Sequence, residues 1–276
     1  MQLVDTHCHI QSSSQQSAAA GEAATRAHWK KADYPLGAEI VNRATAAGVT
    51  KLICVGCDLP DSRLAIDFSA NNDGCYASIG IHPHEAKDYA SDVAKRADFT
   101  ALACQPNVVA IGECGLDYFY EHSEPADQQS LLRFQIELAL KQGLPLIFHV
   151  REAFDDFWPI FDSYAATGLV RGVLHSFTDS SENMLRAVKS GLYVGVNGIA
   201  TFTKDALQLE MYKSIPLSRL LLETDAPFLT PSPYRGTICE PYHMSVTAKF
   251  LANLRGNSVS KLAAATTQNA HRLFNL

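Results

Sequence analysis

The chain has no run of 18 apolar residues, so no membrane-spanning helix is expected. Its first residues lack the basic-then-apolar pattern of a secretory signal. Neither a GxGxxG nor a phosphate-loop signature occurs, which removes the usual evidence for a dinucleotide or nucleoside-triphosphate site. Basic residues are in deficit: 23 Lys and Arg stand against 29 Asp and Glu, a net charge of −6. A broad basic face for sequence-independent binding of polyanions is therefore not expected. A small cationic site stays open, because bound divalent ions supply their own positive charge. Seven cysteines, an odd number scattered through apolar segments, do not make a disulfide framework. They fit a reducing, cytoplasmic setting. Cys54 and Cys57 form a CxxC, but they lie in a strand-like run and read as ordinary buried thiols.

What is present is a regular alternation. Short apolar runs at Leu3–His7, Lys51–Val55, Tyr76–Ile79, Val108–Gly112, Leu146–His149, Gly172–His175, Tyr193–Val196 and Leu220–Glu223 read as strands. Between them, Gly37–Ala47, Asp61–Asn71, Ala126–Gln142, Glu152–Tyr164, Ser181–Lys189, Lys204–Tyr212 and Tyr242–Leu254 carry helical patterns. Ser258–Phe274 reads as a closing helix capped by Ser258 or Ser260. Eight strand–helix units in 276 residues, 47% of them hydrophobic, predict a single α/β domain over residues 1–276. The expected fold is a (β/α)8 TIM barrel, with an open doubly wound sheet as the alternative. One stretch breaks the pattern. The Ser-, Gln- and Ala-rich residues that begin at Gln11–Ala24, and extend to about residue 35, read as a loop or mobile helix inserted after the first strand. They are either a surface excursion or a lid over the substrate.

Ionisable residues recur at the carboxyl ends of these strands, where barrel enzymes assemble their sites. His7 and His9 end the first strand, one residue apart and so pointing the same way if the strand is regular. Glu113 follows the fourth, His149 the fifth, His175 the sixth and Asp225 the eighth. Each alone has a plain structural alternative, but six at one end of the barrel do not. Four imidazoles and two carboxylates suit Zn²⁺ or Mn²⁺, and Mg²⁺ if carboxylates and water dominate. The set exceeds what one ion needs, so two divalent ions about 3.5–4 Å apart are expected, with Glu113 bridging them. His82, just past the third strand, is a candidate general acid or phosphate contact, or else a loop-fixing hydrogen bond beside Pro83. His84 reads as structural or rim. Asp117 reads as a loop pin, and Tyr118 as a cleft residue. Glu223 shares a strand face with Asp225 and is a candidate partner for a metal ligand or substrate.

Several blocks resemble the TatD-type deoxyribonucleases of the amidohydrolase superfamily. They are Asp5-Thr6-His7-Cys8-His9, Gly80-Ile81-His82-Pro83-His84, Ile111-Gly112-Glu113-Cys114-Gly115-Leu116-Asp117-Tyr118 and Pro145-Leu146-Ile147-Phe148-His149. His175-Ser176-Phe177, Leu222-Glu223-Thr224-Asp225-Ala226-Pro227-Phe228-Leu229 and Asn269-Ala270-His271-Arg272-Leu273-Phe274 complete the match. The resemblance implies a TIM barrel and two divalent ions held by His7, His9, Glu113, His149, His175 and Asp225. It also implies hydrolysis of phosphodiester bonds in single-stranded DNA or RNA from the 3′ end, with Asp225 orienting or deprotonating a metal-activated hydroxide. Arg235 matches a position expected near the phosphate, and Arg151 is a weaker case of the same kind. The chain departs from the family at Gln11, where Asp is usual, in the insertion, and at Thr237-Ile238-Cys239, where a basic residue and an asparagine are missing. These departures bear on substrate, so two alternatives stand beside the nuclease. One is an ester or amide hydrolase such as a D-aminoacyl-tRNA deacylase. The other is a non-catalytic metal-binding subunit.

Overall fold

The computed structural model describes residues 2–13, 23–31, 37–120, 122–166 and 168–276. Its centre is one eight-stranded sheet: β1 (Leu3–Cys8), β2 (Val49–Val55), β3 (Cys75–Ile79), β4 (Val108–Asp117), β5 (Leu146–Arg151), β6 (Gly172–Leu174), β7 (Tyr193–Val196) and β8 (Leu220–Leu222). The strands lie in sequence order and each pairs in parallel with the next. The sheet closes on itself. Cys8 bridges Ala226, the His9 amide donates to Ala226 O at 2.7 Å, and the Thr6 hydroxyl donates to Leu222 O at 3.0 Å. This is the expected (β/α)8 barrel, not the open sheet.

The helices are α1 (Ala23–Lys31), α2 (Gly37–Ala46), α3 (Leu59–Asn71), α4 (Val93–Leu102), α5 (Pro125–Gln142), α6 (Phe154–Ala165), α7 (Ser181–Lys189), α8 (Ala206–Ser214), α9 (Met244–Leu254) and α10 (Val259–Phe274). Capping residues set half of these starts: Asp58, Asp92, Ser180, Asp205 and Ser258 each accept a backbone N–H in the first turn. α4 has no counterpart in the sequence pattern. Phe99 is its only buried residue, so the apolar stripe that marks a helix is nearly absent.

Two apolar layers result. Val4, Ile53, Val55, Ala110, Ile147, Val173, Tyr193 and Leu221 fill the barrel, and Ala270, Leu273 and Phe274 of α10 plug its amino end. The larger layer lies between the sheet and the helices. With the bottom plugged, the polar side chains that end the strands collect at the carboxyl mouth.

Of the two expectations for the insertion, loop or helix, its described part contains a helix. Residues 10–13 form a 3-10 turn and α1 packs a buried Trp29, whose indole N–H donates to His9 O at 3.0 Å. The rest of it, residues 14–22 and 32–36, lies outside the described residues. Gln11 does structural work: its amide donates to Val55 O at 2.8 Å and reaches both Asp61 oxygens at 3.3 Å.

Candidate metal centre

Simple alternation does not aim the first two histidines. Val4 faces the barrel interior, so an unbroken strand would turn Thr6 and Cys8 inward. A register shift between Asp5 and Cys8 reverses the phase. Cys8 joins the outer layer, and His7 and His9 turn into the mouth. β4 repeats the device. Ala110 faces in, the register shifts between Ile111 and Cys114, and Glu113 takes the inward position. Gly112 (φ 152°) and Gly115 (φ 153°) adopt backbone angles that other residues avoid. The strand therefore runs on to Asp117 instead of ending at Gly112.

The carboxyl ends of β1 and β8 are locked together. Buried Asp5 accepts from the His7 amide at 3.2 Å, the Thr224 amide at 3.0 Å and the Thr224 hydroxyl at 2.6 Å. Burial lifts its carboxyl to about 7. The Asp225 amide donates to His7 O at 2.8 Å. Asp225 itself sits at φ 65°, a left-handed conformation that Asp tolerates better than most residues and that the surrounding contacts hold in place.

Four donors meet as a result. His7 Nε2 lies 3.2 Å from His9 Nε2, 3.3 Å from Glu113 Oε2 and 3.6 Å from Asp225 Oδ1, and His9 Nε2 is 3.3 Å from Asp225 Oδ1. A tetrahedral ion with bonds of about 2.1 Å separates its donors by about 3.4 Å. Beside this group, the other Glu113 oxygen is 2.8 Å from His149 Nδ1 and 3.8 Å from His175 Nε2, and the His7 and His175 rings stack at 3.5 Å. Glu113 thus faces both sets with separate oxygens. All six sequence candidates for metal ligation converge.

The ring tautomers fit ligation. His9 Nδ1 lies 2.9 Å from Val55 O, which can only accept, so Nδ1 carries the hydrogen and the Nε2 lone pair faces the donors. His175 Nδ1 is 3.0 Å from Glu223 Oε1, which frees its Nε2. His149 donates from Nε2 to Asp117 Oδ2 at 2.9 Å, which frees Nδ1. Such carboxylate and carbonyl partners are the habit of metal-binding imidazoles. Glu223 also accepts the Ser176 amide at 2.6 Å, and Gly195 makes its room, since a Cβ there would collide with the Glu223 carboxylate.

The electrostatics call for positive charge. Burial alone would lower His9, His149 and His175. Asp225 for the first, Asp117 and Glu113 for the second, and Glu223 and Glu113 for the third outweigh it. His9 rises to about 10 and the other two to about 9. Burial opposes ionisation of Glu113, yet the surrounding imidazoles, His7 foremost, and the hydrogen bond from His149 hold it well below the usual carboxylate range. Protons fill a role that a divalent ion fills better.

His82 differs from these. Its Nδ1 accepts the His84 amide at 3.2 Å, so the neutral ring carries its hydrogen on Nε2, 3.7 Å from Glu113 Oε1. Burial keeps the ring neutral, pulling it well below the usual imidazole range. His82 therefore presents an N–H to the mouth rather than a lone pair. His84 donates to Asp117 Oδ2 at 3.0 Å.

The remaining candidates lie elsewhere. Tyr118 does not line the cleft. It is next to inward-facing Asp117 on β4, so alternation points it outward, where its hydroxyl bonds Asp156 at 2.8 Å and Gln129 at 2.9 Å. Arg235 lies beyond the cleft, in an adjoining cavity, with its guanidinium 3.7 Å above the Phe202 ring. The cleft over the cage measures about 680 Å³ and is lined at its β4–β5 side by Tyr120, His122 and Arg151. Cys54 and Cys57 are both buried thiols, but Cys57 faces the cleft, with Sγ 3.9 Å from His9 Nδ1. Asp117 does more than pin its loop, which it does through the Phe119 and Tyr120 amides. Its spacing of four from Glu113 on one strand was the sequence signal for its contact with His149.

The family model described as TatD related DNase matches residues 4–275. The chain is 37% identical over 253 residues to the uncharacterized metal-dependent hydrolase YabD of Bacillus subtilis, covering 91% of this chain and 98% of that protein. It is 36% identical over 241 residues to the 3′-5′ ssDNA/RNA exonuclease TatD of Cronobacter sakazakii, covering 86% of this chain and 90% of that one. The crystal structure of the TatD homologue YJJV from Escherichia coli superposes with a TM-score of 0.84 at 28% identity, covering 99% of this chain and 98% of that one. The chain belongs to the TatD-related DNase family.

Proposed function

We propose that this chain is a metal-dependent phosphodiesterase that removes nucleotides from the 3′ end of single-stranded DNA or RNA. One barrel domain over residues 1–276 would carry the activity. A cluster of His7, His9 and Asp225, joined through Glu113 to His149 and His175 and open to a 680 Å³ cleft, carries the reading. Relatives named as exonucleases support phosphodiester cleavage over the other hydrolytic chemistries.

His7, His9, Asp225 and one oxygen of Glu113 would hold one divalent ion, Zn²⁺, Mn²⁺ or Mg²⁺. The other Glu113 oxygen, His149 and His175 would hold a second. Bound there, such ions lower the pKa of water towards neutrality and offset charge on phosphoryl oxygens. The chain's own groups do the rest. Asp225 is 16% exposed at its side chain and so reaches the cleft, where its free oxygen is placed to accept a proton from the attacking water. His82 directs its Nε2–H at an oxygen of the phosphate. Glu223 and Asp117 keep His175 and His149 in the ligating tautomer.

The test is incubation of metal-loaded protein with 3′-labelled single-stranded DNA, RNA and a charged tRNA, beside Asp225→Asn. Release of mononucleotides that the substitution abolishes supports the proposal. Deacylation of the tRNA without nucleotide release replaces it with ester hydrolysis. No turnover of any substrate with metal bound supports the non-catalytic alternative.

A further inference from the structure

A second cavity of about 760 Å³ adjoins the cleft, and Phe228 and Leu229 line both. Its volume falls within the about 300–1,000 Å³ of small-molecule sites. His28 of α1, Phe228, Tyr234 and Tyr242 wall it. The His243 ring packs near both tyrosines, its centroid 5.3 Å from that of Tyr234 and 4.0 Å from that of Tyr242. Tyr234 is 48% exposed, unusual for so large a ring in a chain that buries most of its aromatics. Arg235 lies at the edge, its plane held against Phe202, and no carboxylate of the described residues pairs with it. Among the described residues that line the cavity none is acidic, in a chain whose net charge is −6. The cleft, in contrast, is lined by Glu113, Asp117 and Asp225.

Aromatic faces, an unpaired guanidinium and no acid together suit a ligand that is both flat and anionic. Base stacking on such rings is indifferent to sequence, because every base has a π-face. We propose that this cavity seats the nucleotide on the 5′ side of the scissile phosphate, its base against Tyr234 and Tyr242 and its phosphate at Arg235. The proposal rests on the phosphodiesterase reading and names the part of the substrate that reading leaves unplaced. A strand cut beside its end must be held on both sides of the reacting phosphate. The Tyr120, His122 and Arg151 side of the cleft takes the departing nucleotide, and the second cavity, opening at exposed loop residues, lets the strand continue. The wall is this chain's own insertion. His28 meets the Phe228 ring at 4.8 Å, and its neighbour Trp29 is bonded to His9 O. One helix turn thus fixes the base seat relative to the cage.

The test uses Asp225→Asn, which binds without cutting, and a single strand carrying 2-aminopurine at the penultimate position, whose emission falls on stacking. The proposal expects saturable quenching there, none when the probe is moved five nucleotides upstream, and about tenfold weaker binding in Tyr234→Ala and Tyr242→Ala. In the cleaving protein, the same substitutions lower the ratio of oligonucleotide to thymidine 5′-p-nitrophenyl phosphate turnover, as kcat/KM, by about tenfold. Absent quenching, quenching that ignores probe position, or turnover of both substrates falling together overturns it. Because quenching needs no cleavage, a failure of the phosphodiesterase reading shows separately, as a strand that is bound and stacked but never cut by the native chain.

Discussion

The floor of the mouth and its rim are built differently. On the floor, His7, His9, Glu113 and His175 are nearly inaccessible, and every ring but that of His7 has its second nitrogen committed to a carbonyl, amide or carboxylate. At the rim, Tyr120 and Tyr234 are 45% and 48% exposed and the Arg235 guanidinium lies over the Phe202 ring. The floor is specified by strand register and by buried polar groups that cannot be left unmatched. The rim is carried on loops and on an inserted helix, where changes cost the fold little. The proposed function puts reaction chemistry in the first region and choice of substrate in the second.

Substitutions on the floor should break activity outright. Asp225→Asn removes a negative charge from the cage and the proton acceptor from the cleft. Its kcat should fall by about 10²–10⁴-fold with the melting temperature kept, measured on labelled single strands. Glu223→Gln and Asp117→Asn leave all six donors in place but loosen the rings of His175 and His149. Each should weaken metal affinity by about 10–100-fold in a competition titration, with activity restored by excess metal. His82→Ala should lower kcat by about 10–100-fold at unchanged metal content. A loss of metal instead would make His82 a ligand.

Protons sharpen the comparison. His9 near 10, with His149 and His175 near 9, means that an incoming ion displaces protons. Affinity should therefore rise with pH up to about 9, on the order of tenfold per unit for each proton displaced. Calorimetry in buffers of different ionisation enthalpy reads the proton count. Below the floor, burial raises Asp61 from 3.8 to about 6, against the pull of His9. The folded chain then binds more protons than the unfolded one between about pH 4 and 6, so this carboxyl costs stability as pH rises through that window. Relative to the native chain, Asp61→Asn should gain about 3 kcal/mol on going from pH 4 to pH 7. A gap between the two denaturation midpoints that is independent of pH would refute the assignment.

The barrel was legible because all eight strands are short apolar runs bounded by breakers, a local signal. Tyr193–Val196 and Ser181–Lys189 coincide with the observed elements to the residue. The six donors were legible because each follows such a run. The register shifts in β1 and β4 were not, since they depend on pairing with β2 and β5. Glu113 was placed past a strand that in fact continues through it to Asp117, because the apolar run stops at Gly112 while the ladder does not. The hydrogen on His82 is decided by the His84 amide, a contact that no spacing encodes. α1 was left as one of two alternatives, without bounds, because its apolar contacts are few and far away in sequence, chiefly Trp29 against His9. Tyr118 shows the reverse error: motif position suggested the cleft, and side-chain direction took it outward.

Anomalous scattering from crystals of the Mn²⁺-loaded chain tests the account most directly. It predicts two peaks in the mouth, one against His7, His9 and Asp225 and one against His149 and His175, with Glu113 touching both. No peak at all, or a peak that does not touch Glu113, would contradict it.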